Sequence, residues 1–221
     1  MKPESNKQTS GASAFSLIEM LVVMGIISLL LVAAYPIFSN NSNTTRNASR
    51  EILKGHLQQA RAHAISAGNA TAIAFPISGS DPDLGARAIT LVEVENSTGK
   101  YLPLKDHQGK DSQLQRFVKL PGNFHFVANS QVSTAQPTIL ETGHPLQLSS
   151  NGKILECRVI VFSASGQIVQ PPPGTAIVIA IGQAMKRNGA LVLTEKNDGL
   201  PVFDLLQINR LTGRAKFYES E

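Results

Sequence analysis

The sequence predicts an α+β protein, with a long N-terminal helix, apolar in its first half, followed by a globular head of antiparallel β-sheet. Three observations predict it. From Met20 to Phe38 there is no charged residue. Leu53, Leu57, Ala60, Ala64 and Ala67 then recur at the spacing of one helical face. Beyond Asn69 the chain becomes a series of short apolar runs separated by Gly, Pro and Asn clusters.

The uncharged run Met20–Phe38 is about nineteen residues long. At ~1.5 Å per residue it covers a hydrocarbon core of ~30 Å as one transmembrane helix. Glu19 sits just inside this apolar block. A carboxylate in a membrane helix is costly and calls for a partner. Pro36 lacks an amide donor and clashes with the preceding turn, so a bend is expected there. The polar run Ser39-Asn40-Asn41-Ser42-Asn43-Thr44-Thr45 has poor helix propensity, and the helix is expected to weaken and resume near Ala48. The stripe from Leu53 to Ala67 should pack on the head, and Gly68-Asn69 should end the helix.

Candidate strands follow at Ala70–Phe75, Arg87–Val94, Tyr101–Leu104, Gln115–Leu120, His125–Val127, Thr138–Glu141, Ile154–Phe162, Ala176–Ile181, Ala190–Thr194, Val202–Asn209 and Ala215–Tyr218. No internal repeat appears. Short strands after one long helix imply antiparallel sheets resting on that helix.

Composition narrows the function. The 221 residues suit one membrane helix and one soluble domain, and the net charge of +4 with a pI of about 9.3 does not diagnose nucleic-acid binding. Cys157 is alone, so no intramolecular disulfide is possible, and its apolar surroundings predict a buried thiol. His56, His63, His107, His125 and His144 are scattered, and no Cys/His cluster has metal-ligand spacing. There is no nucleophile elbow, phosphate-binding Gly loop or zinc-binding His pair. Asp81 and Asp83 lie in a Pro-containing run and read as turn residues. Neither an enzyme nor a cofactor is expected.

The order Ala14-Phe15-Ser16-Leu17-Ile18-Glu19, then about twenty apolar residues interrupted by Pro36, resembles the N-terminus of type IV prepilins and type II secretion pseudopilins. The resemblance implies a pilin-like fold with a leader peptide at 1–14 and a transmembrane methylation segment at 15–38. A periplasmic continuation of the helix at 39–68 and a β-rich head at 69–221 would follow. It implies cleavage between Ala14 and Phe15 by a prepilin peptidase, and methylation of the new Phe15 amine. The family usually has Gly before the cut, and this chain has Ala14. Glu19 would pair with the N-terminal amine of a neighbouring subunit and so act in assembly, and Pro36 would bend the helix. At an effective dielectric of ~20 such a pair attracts roughly four times as strongly as in water.

Gln59-Ala60-Arg61-Ala62-His63-Ala64-Ile65 followed by an extended Thr71–Phe75 is similar to the helix-to-strand junction of H-type minor pseudopilins and FimT-like minor pilins. Lys119-Leu120-Pro121-Gly122, Val161–Gly166 and Ile208–Arg214 resemble later strands and turns of that domain. The Verru_Chthon cassette protein D subfamily is a looser match.

Three readings follow. The first is a structural subunit of a type IV pilus or type II pseudopilus, held in the bacterial inner membrane with a periplasmic head and assembled with other pilins. The second is a FimT-like minor pilin that contacts DNA through Arg210, Arg214 and Lys216, with Lys186 and Arg187 joining if they fold nearby. Gly213-Arg214-Ala215-Lys216 resembles the basic tail of those proteins. The third is an anchored periplasmic domain that never polymerises, and an uncleaved signal anchor with Glu19 at the interface remains open beside it.

Overall fold

The computed structural model describes residues 17–39, 41–79, 81–95, 101–102, 116–132, 136–150, 153–188 and 190–219. It divides into two compact units, Met1–Thr44 and Thr45–Glu221. The elements in chain order are α1 (Leu17–Ser39), α2 (Asn41–Ala67), β1 (Ala70–Pro76), β2 (Ala88–Val94), β3 (Tyr101–Leu102), β4 (Val118–Lys119), β5 (Phe124–Val127), α3 (Asn129–Val132), α4 (Ile139–Thr142), β6 (His144–Ser150), β7 (Lys153–Phe162), β8 (Ile168–Gln170), β9 (Val178–Arg187), β10 (Ala190–Leu193), β11 (Lys196–Asn197), β12 (Leu200–Pro201), β13 (Asp204–Ile208) and β14 (Ala215–Glu219).

In the first unit, α1 is helical through Pro36 to Ser39. In α1 the described side chains run from Leu17 to Leu30. Among the described residues no helix is long and apolar enough to cross a membrane.

The second unit is the head. Two antiparallel sheets pack against the part of α2 from Thr45 onward. The first has the order β3-β2-β1-β7-β6, with β4 on β2 and β8 on β7. The second has the order β10-β9-β13-β14, with β5 on β9. Leu53, Leu57, Ala60 and Ala64 of α2 are buried in one core with Ile73, Phe75 and Phe162 of the first sheet. Phe126, Ile181 and Leu206 of the second sheet join the same core. The Phe75 and Phe126 rings meet edge to face at 5.1 Å and link the two sheets through their side chains. The stripe ends at Ala64, since Ala67 is exposed beside Gly68, whose φ of +68° ends α2.

The structure departs from the sequence reading at several elements. Helix resumes at Asn41, ahead of Ala48. Contacts made by Arg46 and Arg50 with the head override the weak propensity of the polar run there. Thr138–Glu141 is not a strand, because Ile139–Thr142 forms one helical turn. The Glu141 carboxylate accepts the Thr138 N–H at 3.0 Å, half of a capping box spelled by Thr-x-x-Glu. Strands β6, β8, β11 and β12 and the short α3 were not foreseen.

The Cys157 thiol is buried with Ala72, Leu155 and Val159 on the outer face of the first sheet, as its surroundings predict. Burial pushes it up to about 12. Asp81 is a turn residue: its carboxylate accepts the N–H groups of Asp83 at 2.8 Å and Leu84 at 3.1 Å.

Candidate functional site: the N-terminal helix and the basic edge of the head

The cleavage residues Ala14 and Phe15 lie outside the described residues. Helix α1 opens two residues later, with Glu19 in its first turn, where the helix dipole favours a carboxylate. The apolar side chains that follow spread all round the helix. Leu17, Ile18, Met20, Leu21 and Met24 are exposed, and so are Ile26, Ile27, Leu29 and Leu30. A helix apolar on every side belongs in a protein core or in a bilayer. The Ser28 hydroxyl donates to the Met24 carbonyl at 2.8 Å, so the helix satisfies this polar group internally.

At the start of the second unit, Arg46 and Arg50 project from one face of α2, one turn apart. Both reach Asp204 at the start of β13. Arg46 donates from Nε at 2.8 Å and Nη2 at 2.6 Å, and Arg50 from Nε at 3.0 Å and Nη2 at 2.5 Å. Asp204 is fully buried. Burial alone would push its carboxyl up, but the hydrogen bonds and charges of both arginines hold it below the usual carboxylate range. The same hydrogen bond raises Arg46. No motif in the sequence singles out these arginines. The available signal was a lone Asp in the apolar run Val202–Ile208, with two Arg at helical spacing elsewhere.

The C-terminal cations are separated into different roles. The Arg210 guanidinium is engaged by carbonyls, donating to Ile168 at 3.1 Å, Pro171 at 2.5 Å, Pro172 at 2.9 Å and Thr175 at 2.9 Å. It staples the Pro-rich loop to the β13–β14 turn. Arg214 and Lys216 are exposed and line one open concavity with Gln207, Thr212 and Tyr218. Lys216 Nζ lies 4.9 Å from the centre of the Tyr218 ring. Lys186 and Arg187 do not join them. Lys216 pairs with Gln207 and Gln207 with Val178. Lys186 is eight residues further along β9, about 26 Å at ~3.3 Å per residue. The turn before Arg214 seats against α2. Gly213 has a φ of +63°, and a Cβ there would lie 2.8 Å from Arg61 Cδ.

Residues 9–35 match the model of the Prokaryotic N-terminal methylation motif. The N-terminus thus carries a prokaryotic N-terminal methylation motif. In sequence it is followed by an α+β head of antiparallel sheet. Two crystal structures of the type IV minor pilin FimU of Pseudomonas aeruginosa (strain PAO1), in space groups P21 and P65, are similar to the chain at 18% and 21% identity. They cover 81% and 78% of this chain and 91% of their own, with TM-scores of 0.40 and 0.39. At this level the likeness transfers no residue and no function. No curated protein matches the chain.

Proposed function

We propose that the chain is a minor pilin or pseudopilin, made as a precursor, cut between Ala14 and Phe15, methylated on Phe15 and built into a filament from the bacterial inner membrane. The observation that carries the reading is α1 itself. Its described side chains are apolar all round, with a single carboxylate, Glu19, in the first turn. Such a surface is stable in a bilayer or among the helices of other subunits, and moves between them without meeting water. Glu19 would supply what lipid does not, a charge for the amine of a neighbouring subunit. Pro36 would bend the helix where the span ends. The partners are a prepilin peptidase and other pilins, and no catalytic step or cofactor enters.

Glu19→Ala tests the assembly role. The variant should insert and be cleaved normally, because the apolar span is unchanged, yet be missing from sheared filaments of a complemented deletion strain. Incorporation at the wild-type level would contradict charge pairing.

A second reading, contact with DNA, is favoured by one observation: Arg214, just before β14, and Lys216 and Tyr218 within it are all exposed and line one concavity. Two cations and a ring could follow a phosphate backbone without reading bases. Arg210 would hold the turn in place. If duplex DNA binds, Arg214→Ala should reduce the salt slope by about one unit. No binding by the wild type at low salt leaves the structural role alone.

A further inference from the structure

Strand β9 outruns its partners. Asp204, held by Arg46 and Arg50, pairs with Ile181 in β9. Gly213, past the far end of β13, packs against Arg61. Strand β13 therefore follows α2 from the Arg46 turn toward the Arg61 turn, and antiparallel β9 runs back toward the end of the head where Thr45 enters. It continues six residues beyond Ile181 to Arg187, about 20 Å at ~3.3 Å per residue. Past Gln183 its sheet partner among the described residues is β10 alone. The chain turns at Asn188, whose φ is 50°, in an Asn-Gly pair suited to a two-residue hairpin.

On one face of this hairpin Met185 and Val192 stand directly opposite each other, 52% and 44% exposed. Arg187 continues that face, and Lys186 lies on the other; both are exposed. The stretch 178–193 carries these two cations and no carboxylate. The next acids in sequence are Glu195, which lies in the field of Arg46, and Asp198 at the tip of the following turn. Leu200, 65% exposed, lies in that same β11–β12 hairpin with Lys196.

We propose that the β9–β10 hairpin is a foot that rests on an anionic bilayer surface, with Met185 and Val192 at the headgroup boundary and Lys186 and Arg187 among lipid phosphates. The inference rests on the reading of residues 15–38 as a membrane anchor. That reading makes the tether short. Eight residues separate Phe38 from Arg46, about 12 Å at the ~1.5 Å rise of a helix. The reach of the hairpin, about 20 Å past Ile181, exceeds that length. An apolar pair beside two cations, free of acids, is the chemistry of an interfacial anchor, and the negative potential of anionic lipid attracts it.

The test uses the full chain in vesicles of phosphatidylcholine with or without phosphatidylglycerol. An environment-sensitive fluorophore is placed on Val192→Cys, or on Leu211→Cys at the β13–β14 turn as a control; Cys157 stays, its thiol buried. With phosphatidylglycerol the label at 192 should shift to the blue and be quenched by brominated lipid, while the label at 211 stays aqueous. The shift should be lost in phosphatidylcholine alone and in the Lys186→Glu, Arg187→Glu double variant. Aqueous emission at 192 in protein that resists a carbonate wash overturns the foot and leaves the anchor standing. An equal shift in both lipids and in the double variant also overturns it. Loss of the wild type from vesicles in carbonate overturns the anchor, and the foot with it.

Discussion

Arg46 and Asp204 are 158 positions apart in sequence and 2.6 Å apart in space. With Arg50 one turn further along α2, they fix the first turn of the head's helix to the first residue of β13. The second unit begins at Thr45, one residue before this clamp. Two guanidinium groups on one carboxylate leave a net positive charge, so the carboxylate is the member the arrangement can least lose.

Asp204→Ala should therefore destabilise the head more than either arginine substitution. It leaves two largely buried guanidinium groups without their shared partner, a loss of about 3 kcal/mol. Urea unfolding of the full chain in mild detergent, followed by circular dichroism, measures it. Arg46→Ala should cost less, since Arg50 still pairs with Asp204. Equal losses in the two variants would show that the carboxylate is not the centre of the clamp.

The clamp also sets a pH dependence. The Asp204 carboxyl is held below its unfolded value of about 3.9. A depressed carboxyl contributes stability that is fully present above the unfolded value and lost as pH falls through the folded one. The melting temperature of the wild type should thus exceed that of Asp204→Asn by a constant margin from pH 7 to about pH 5, and the margin should shrink below about pH 4. A margin that grows on acidification would reverse the sign and refute the assignment.

Cys157 should resist a thiol reagent at pH 8 until the protein is denatured, because burial both shields the sulfur and holds its thiol up at about 12. Labelling with a chromogenic disulfide, with and without guanidinium, checks this. Immediate reaction of the folded chain would contradict its burial in the cluster on the outer face of the first sheet.

Much of this was legible because the signals were local. The stripe Leu53, Leu57, Ala60 and Ala64 marks the buried face of α2, and Gly68 marks its end. Strands β1, β2 and β7 read as apolar runs because both of their faces are covered. The exposed β6 was missed because it has one covered side and begins His144-Pro145. The run Thr138–Glu141 reads as a strand by composition, and only its Thr-x-x-Glu ends reveal a helical turn. The Arg46–Arg50–Asp204 clamp was illegible for a different reason. Its members lie in different elements, and nothing in a single sequence says that β13 begins under the first turn of the head's helix. Arg210 was legible as a cation, but not as a donor to four carbonyls of β8 and the loop after it, some forty residues earlier.

The proposal that cleavage after Ala14 exposes a methylation segment at 15–38 is tested most directly at the N-terminus of the mature protein. The full chain, expressed beside a prepilin peptidase and purified from the membrane fraction, should give a mass-spectrometric N-terminus at Phe15 carrying one added methyl group. Glu19 would then be the fifth mature residue, counting from Phe15. An intact Met1–Ala14 on the membrane-bound pool would contradict the account.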